Sequence, residues 1–490
     1  MVWGPLTPAL LEPALGDVAA GVRRHAVRLA ETRAGTGNRL GELAARLADD
    51  PDPQVRLQLA LTLGAWQDSA AGVALARLAV NSGSDPAIAA AVLSSVVNHA
   101  EVLIAAVTQA NNEVREVFAD PLLDMSLALD RRDLVMQFLR PTLAPADGHF
   151  TAGQFHAFTH FVDALARKKL SFIEYSETGD EKLRELARQA VAMVAQARRV
   201  AADATQVVNL RVAALGLLGR SGAGSATDIS RLAVLLQPSV PGEVQRAAVQ
   251  ALGRAGDAAT PGWLLADWPA HSPATRATVF NSLLGRESWA LELLRRLERG
   301  QIASVDLEVA QRDRLLKHSS EKVRQLAGTV FAATINPDRQ KAIASFQPAL
   351  FLTGDVTRGR AVFAKTCATC HQLDGVGREV GPNLISVKAH PPEKLLTSIL
   401  DPSREVEPRY LAYNCELTGG DELYGIIASE TGNGLVFKLP DGTTRNILRS
   451  DIKSLRSTKL SLMPDGLEAA LTHQDLADLL RYLRHQPGGE

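Results

Sequence analysis

Cysteine and aromatic residues are scarce in this 490-residue sequence, which has three cysteines and 5% Phe, Trp and Tyr. Cys367, Cys370 and Cys415 are too few and too clustered to form a disulfide framework. Basic residues are not in excess, because 53 Lys and Arg are balanced by 54 Asp and Glu. We therefore expect no nucleic-acid partner, since binding to a phosphate backbone needs a basic surplus.

Long apolar runs and an export signal are also missing. The longest candidate, residues 86–100, is shorter than the ~18 uncharged residues of a membrane span and contains Ser, Asn and His. We expect no transmembrane segment in this chain. The N-terminal residues 1–8 have neither a positive n-region nor an apolar h-region, so no signal peptide is visible.

A helical repeat fills the first two thirds of the sequence. Similar segments lie 33 or 34 residues apart and share apolar spacing of i, i+3, i+4, i+7; they begin at Val22, Val55, Ile88, Leu210 and Val244. Such an amphipathic helix cannot bury its apolar face alone and must stack on its neighbours. The pattern predicts an α-solenoid.

The turns before these helices suggest the type of repeat. Asp-Pro turns at 50–53 and 85–86 followed by helical segments resemble HEAT repeats over about residues 8–335. The helical phase is lost near Asn336-Pro and Gln347-Pro. The sequence therefore predicts a mainly α fold, with a HEAT-like α-solenoid at 1–345 and a second domain at 346–490.

Inside the second domain, residues from about 406 to 458 have a β-type pattern. Short β runs that begin at Tyr410, Glu422, Gly434 and Thr443 are separated by Gly- and Asp-rich turn signals. These runs predict a small antiparallel β insertion. A closing helix follows, with Thr472 at its N-cap.

The second domain also contains the motif Cys367-Ala-Thr-Cys370-His371, the Cys-x-x-Cys-His signature of covalent haem c attachment. Two thiols on one helical turn can reach the two vinyl groups of haem, while the next residue's imidazole ligates iron. The alternatives are a redox dithiol, half of a zinc site, or a chance occurrence of the pattern. A redox pair is expected in a βαβ context, which is not evident here, and a zinc site needs further ligands.

Residues 354–384 around this motif resemble the start of a class I cytochrome c. The resemblance implies that Gly359 and Phe363 in the first helix pack against the last helix, where Leu479, Tyr482 and Leu483 are candidates. It also implies that the Pro382 carbonyl accepts a hydrogen bond from His371 Nδ1. Such a bond fixes the imidazole and strengthens its donation to iron.

Met463 is the candidate for the second axial ligand. The other methionines are Met1, Met125, Met136 and Met193, all in the repeat region. Met463 lies in a Pro- and Gly-containing loop before the closing helix, 92 residues after His371. This spacing is long for a small class I cytochrome c, but without the β insertion at about 406–458 only 39 residues separate His371 from Met463. His390, His473 and His485 are the fallback ligands.

The order of these features resembles the haem-binding proteins of the planctomycete and verrucomicrobial (PVC) type. The resemblance rests on the helical region, the haem motif, Ser-Ile-Leu-Asp-Pro-Ser at 398–403, the β insertion and Leu-Met-Pro-Asp-Gly-Leu at 462–467. In that family a β-propeller of the sugar dehydrogenase kind commonly precedes the solenoid. The resemblance implies that this chain is the C-terminal part of a membrane-bound-dehydrogenase-like protein, or is exported and encoded separately from its dehydrogenase. It also implies a periplasmic or otherwise extracytoplasmic location.

The leading hypothesis is a monohaem c-type cytochrome that accepts electrons from an associated dehydrogenase, more an electron carrier than a catalyst. The alternatives are a haem peroxidase or gas sensor with a displaceable Met463, and an interaction scaffold with a structural haem. His156 and His160, four residues apart, could chelate a metal, but a structural role is favoured because no third ligand is evident. Cys415 is interpreted as a small buried hydrophobic residue.

Overall fold

The structure is a computed structural model that describes residues 8–32, 39–179, 181–220, 225–332 and 336–485. The chain forms two compact units, Met1–Arg199 and Val200–Glu490. The predicted boundary at about 345 falls inside the second unit. That boundary therefore stays a prediction.

The described part of the first unit is helical. Its helices are α1 Pro8–Ala14, α2 Ala20–Ala30, α3 Arg39–Ala45, α4 Pro53–Leu63, α5 Ser69–Ser82, α6 Pro86–Ser95, α7 Ala100–Gln109, α8 Asn112–Ala128, α9 Arg132–Leu143, α10 Ala152–Arg167, α11 Phe172–Glu177 and α12 Glu181–Ala202. The Asp-Pro turns begin helices because the Asp52 and Asp85 carboxylates accept hydrogen bonds from the first amides of α4 and α6. Proline at the first helical position needs no amide partner there.

Helices in this unit pack against the helix two places along the chain. Helix α2 packs on α4, α4 on α6, and α5 on α7. Side chains join the turns of successive pairs: Asn98 Nδ2 donates to the Gly64 carbonyl, and His99 Nε2 bonds the Leu63 carbonyl at 3.0 Å. Their apolar faces supply the buried core of the unit.

The second unit continues with helices and ends in a mixed region. Its helices are α13 Val208–Leu215, α14 Ser225–Val234, α15 Gly242–Ala255, α16 Thr260–Leu265, α17 Pro273–Leu283, α18 Glu287–Glu298, α19 Val309–Leu316, α20 Glu321–Ala332, α21 Pro337–Phe346, α22 Val356–Thr366, α23 Pro392–Leu400 and α24 His473–Arg484. Again α13 packs on α15, α15 on α17, and α18 on α20. The mainly α prediction is confirmed.

No helix within the described ranges is long and apolar enough to span a membrane by itself. Helix α6 and the segment Val97–Gln109 meet the length and composition criteria only as a pair, which is bent by 74°.

The β region consists of a small hairpin and a five-stranded antiparallel sheet. The strands are β1 Gln372–Leu373, β2 Val376–Gly377, β3 Leu411–Leu417, β4 Glu422–Glu430, β5 Gly434–Lys438, β6 Thr444–Leu448 and β7 Ile452–Ser461. The large sheet has the order β6-β5-β4-β3-β7. The sequence predicts the first four of its strands but not β7, which pairs with β3 and ends two residues before Met463. Strand β7 escapes prediction because its apolar residues do not alternate regularly with polar ones.

Two apolar cores position the end of the chain. One lies between α22, α23 and α24 and includes Phe363, Leu396 and Leu479. The other lies within the sheet and includes Tyr413 and Phe437. The predicted closing helix is confirmed as α24, with Thr472 and Asp475 forming a capping box.

Candidate haem site

Helices α22 and α24 cross closely at Gly359 and frame the site. A Cβ atom at Gly359 would lie 2.0 Å from the Asp478 carbonyl oxygen, so only glycine permits this approach. One turn further along α22, the Phe363 and Tyr482 rings have centroids 5.5 Å apart. The predicted packing of Gly359 and Phe363 on the last helix is therefore observed.

Arg358 and Asp478 hold the same two helices together. Arg358 Nε donates to Asp478 Oδ2 at 2.6 Å, and the Asp355 amide donates to Asp478 Oδ1 at 2.8 Å. Mainly through the Arg358 hydrogen bond, and against a smaller opposing effect of burial, the pKa of Asp478 falls to about 2. The carboxylate is thus ionised although its side chain is only 2% exposed.

The Cys-x-x-Cys-His segment forms a helical turn directly after α22. The Cys367 amide donates to the Phe363 carbonyl at 2.8 Å, and the His371 amide donates to the Cys367 carbonyl at 2.9 Å. Cys367, Cys370 and His371 consequently line the same cavity, which has a volume of about 710 Å³.

His371 is oriented by the residue that the sequence suggests. Its Nδ1–H donates to the Pro382 carbonyl at 2.8 Å. Burial lowers the pKa of the imidazole, which favours the neutral ring. With the proton held at Nδ1, the Nε2 lone pair is available as a metal ligand.

Cys367 and Cys370 are half-buried, and neither forms a disulfide. Burial, with the neighbouring Cys370 adding to it, raises the pKa of Cys367 to about 11, and burial also raises the pKa of Cys370. A redox dithiol needs a lowered thiol pKa, so this environment does not favour that alternative. The zinc alternative lacks ligands, because the part of the chain that the structure describes has no group of three or more His, Cys, Asp or Glu able to hold a metal ion.

Met463 lines the same cavity as the motif. It follows the end of β7, and its amide donates to Ser461 Oγ at 3.1 Å. Of the fallback ligands, His390 lines the cavity, whereas the His473 ring packs against Phe346 with centroids 4.8 Å apart. His485 follows α24 and is not among the described residues that line the cavity.

Other cavity residues lie on elements distant in sequence from the haem motif. They are Tyr410 before β3, Ile426 on β4, Arg404 after α23 and Val309 at the start of α19. Tyr410 and Ile426 have a local signal, since each lies in a predicted β run. The rest reach the cavity through tertiary packing.

The remaining candidates lie elsewhere. His160 bonds Asp120 at 3.2 Å and Asp124 at 3.1 Å, which gives it a structural role on α10. Cys415 lies in the sheet core, 1% exposed, and burial raises its pKa to about 11.

Part of the chain matches a known protein family. A model of the family described as cytochrome c oxidase, cbb3-type, subunit III, matches residues 354–410. The chain carries a cytochrome c domain. The match spans α22, the Cys-x-x-Cys-His turn and α23, and it ends before the large sheet and Met463.

The other comparisons add little to the cytochrome c domain. No curated protein matches the chain. Among solved structures, a "Homology model of the full-length AP-3 complex in an intermediate open conformation" is 13% identical, with a TM-score of 0.29 over 73% of this chain and 70% of that chain. A likeness this distant carries no argument.

The residues of the cytochrome c domain fit haem c. The cavity volume of about 710 Å³ lies within the usual range of cofactor pockets, and apolar side chains such as Val380, Leu395 and Leu483 line much of it. Two thiols three residues apart and an imidazole bonded through Nδ1 are groups that can attach and ligate haem c, and the Met463 thioether lines the same cavity. The domain thus has a haem-based electron-transfer role.

Proposed function

We propose that this chain is a monohaem c-type cytochrome that transfers electrons, with haem attached to Cys367 and Cys370 and iron ligated by His371 and Met463. The observation that carries the proposal is that all four side chains line the same cavity, with His371 oriented by Pro382. When bound, haem supplies a one-electron Fe(III)/Fe(II) couple, and an axial Met raises its potential.

Two axial ligands on iron would favour electron transfer over catalysis at the metal. A Met463 thioether and a His371 imidazole together leave no open position for peroxide or a gas. The cavity-lining position of Met463 supports the electron carrier over the peroxidase or sensor.

We extend the proposal to a PVC-type protein in which HEAT-like repeats carry a class I cytochrome c domain. The alternating contacts of α2, α4 and α6 support the repeat. So do side-chain hydrogen bonds at one repeat length, such as Ser95 Oγ to the Leu61 carbonyl at 3.3 Å, 34 residues apart. The electron donor in this proposal is a β-propeller dehydrogenase, and the location is extracytoplasmic because haem c is attached outside the cytoplasm. Both rest on the resemblance of the sequence motifs.

The test is an absorption spectrum of the full chain, exported and matured with haem-attachment machinery, in the ferric and ferrous states. We expect haem that survives denaturation and acid-acetone extraction, and a ferric sulfur-to-iron charge-transfer band in the wild type. Met463→Ala should lose that band and should bind carbon monoxide when reduced, because it opens the sixth position.

Met136→Ala is the matched control, since Met136 is also half-buried but lies on α9. Its spectrum should equal that of the wild type. A wild type that is high-spin, or that binds carbon monoxide as Met463→Ala does, would favour the peroxidase or sensor. Extractable haem would remove the proposal altogether.

A further inference from the structure

A short loop behind His371, residues 378–382, carries the carbonyl that orients the imidazole; we call it the proximal loop. Its amides bond the haem motif: Val380 N–H and Gly381 N–H donate to the Cys370 carbonyl at 3.0 and 2.7 Å. A Cβ atom at Gly381 would lie 2.7 Å from His371 Cε1, so the loop backbone lies directly against the ring.

The opposite side of the proximal loop contacts the β insertion. Arg378 Nη1 donates to the Asp441 carbonyl at 2.8 Å, and Lys438 Nζ donates to the Glu379 carbonyl. Asp441 belongs to the β5–β6 turn, residues 439–443. In the same turn Gly442 has φ +85°, and a Cβ atom there would lie 3.5 Å from Val380 Cγ2.

The sheet that carries this turn is anchored to the segments that precede α15 and α17 in the same unit. Buried Arg449 donates to Glu430 Oε2 at 2.6 Å and to the Pro238 carbonyl at 3.1 Å. Glu430 also accepts from Ser272 Oγ at 2.8 Å. On strand β3, Tyr413 O–H donates a hydrogen bond to the His271 carbonyl at 3.2 Å. The β5–β6 turn therefore belongs to a sheet whose position is fixed by these hydrogen bonds.

We propose that the β insertion is a brace for the proximal histidine, and that Arg378 and Lys438 are positioning residues for the haem ligand. The inference rests on the proposed function and extends it to a role for the sheet. Held between the haem motif and the β5–β6 turn, the proximal loop keeps the Pro382 carbonyl at His371 Nδ1. That bond fixes the ring plane and makes the imidazole a stronger donor, which stabilises ferric iron.

The test compares two double variants of the full, matured chain. Arg378→Gln/Lys438→Met removes the brace. Arg445→Gln/Lys453→Met is the control, because it too removes two positive charges. Both control residues lie on the sheet, are 50% and 61% exposed, and pair with Asp421 and Glu416. The total charge change is equal, and losing cations near iron would by itself lower the potential, so a rise in the brace variant reports on the brace.

Two quantities are measured. Hydrogen–deuterium exchange of a peptide covering 376–384 should become about tenfold faster in the brace variant, since two hydrogen bonds that hold the loop are lost. The exchange of α24 should not change. The reduction potential of the brace variant should lie above that of the control pair, because a loosened Nδ1 bond weakens imidazole donation to ferric iron.

Equal exchange and equal potentials in the two pairs would overturn the brace. Faster exchange with unchanged potential would overturn the positioning role, because it would show that the contacts support only the fold. Absence of covalent haem in the wild type would defeat the proposed function instead, and the exchange comparison would still decide whether the sheet holds the loop.

Discussion

At the scale of single residues, the haem site depends on backbone atoms that approach side chains closely. The Gly381 Cα faces the His371 ring, and the added methyl group of alanine would meet Cε1 at 2.7 Å. The Nδ1 atom of the same ring is held by its hydrogen bond to the Pro382 carbonyl. The imidazole therefore has little room to yield.

We expect Gly381→Ala to destabilise the second unit by about 1–3 kcal/mol and to alter the haem spectrum, because overpacking must displace the ring or the proximal loop. Denaturant unfolding and the ferric spectrum measure the two effects. Gly419→Ala is the control, since nothing lies within 4 Å of a Cβ atom there. Equal stability and spectra in both variants would contradict the geometry at His371.

Asp478 is a second residue whose surroundings determine a measurable property. Its folded pKa of about 2, set first by Arg358, lies below the ordinary Asp value of about 3.9. Between these pH values the unfolded chain binds more protons than the folded chain. The stabilisation is therefore fully present above about pH 4 and is lost as the pH falls towards 2.

We expect Asp478→Asn to lose about 1–2 kcal/mol of unfolding free energy at neutral pH, a figure reduced for solvent screening because Arg358 is 60% exposed. The variant should also show a flatter decline than the wild type from about pH 4 to 2. Denaturant unfolding across this range measures both. Asp338→Asn, at an exposed ion pair with Lys341, should behave as the wild type does. A wild-type slope in Asp478→Asn would refute the Arg358 contact.

At the scale of secondary-structure elements, the crossing of α22 and α24 places the haem motif. The Cys-x-x-Cys-His turn begins where α22 ends, so any shift of that helix moves both thiols. At Gly359 the backbones of the two helices are in direct contact, because a Cβ atom there would lie only 2.0 Å from the Asp478 carbonyl oxygen. A backbone carbonyl within a helix cannot rotate away.

We expect Gly359→Ala to cost about 3 kcal/mol or more and to lower the yield of covalent haem, because the helices must separate. Gly328→Ala in α20 is a matched control, where nothing lies within 4 Å of the new Cβ atom. That variant should be neutral or slightly stabilised, since alanine favours helix. Unfolding free energy and haem yield are the measurements, and equal losses in both variants would contradict the close crossing.

At the scale of the whole molecule, the second unit joins helices and sheet around the cavity. Val309 on α19, Ile426 on β4 and Met463 after β7 all line it. Within the sheet region Arg449 and Glu430 form a buried charge pair, 2% and 11% exposed, and each also bonds a helical-region residue, Pro238 and Ser272 respectively. Burial lowers the pKa of Arg449, although Glu430 opposes that change.

We expect Glu430→Gln to destabilise the second unit by about 3–5 kcal/mol, because it leaves Arg449 buried without its counter-charge. Glu422→Gln, at an exposed position on the same strand, should change stability by less than about 0.5 kcal/mol. The double variant Glu430→Gln/Arg449→Met should be more stable than Glu430→Gln alone. Denaturant unfolding tests all three variants. An unfolding free energy of Glu430→Gln equal to or above that of the double variant would contradict the pairing.

The sequence by itself determined the features that depend on residue type and local spacing. Cys367, Cys370 and His371 are adjacent in the chain, so their chemistry is readable without a fold. Helix caps such as Thr472 and the turns between β3, β4, β5 and β6 are local as well, because they depend on a few neighbouring residues. The prediction of Met463 as the second ligand came from elimination among five methionines.

Only the tertiary structure decided which distant residues meet. Strand β7 is defined by pairing with β3 across the sheet, and Val309 and Ile426 reach the cavity through packing that no local pattern encodes. The hydrogen bonds from Arg378 and Lys438 join segments about 60 residues apart. Such contacts depend on the simultaneous placement of several elements, because hydrophobic burial is non-directional and does not specify individual partners.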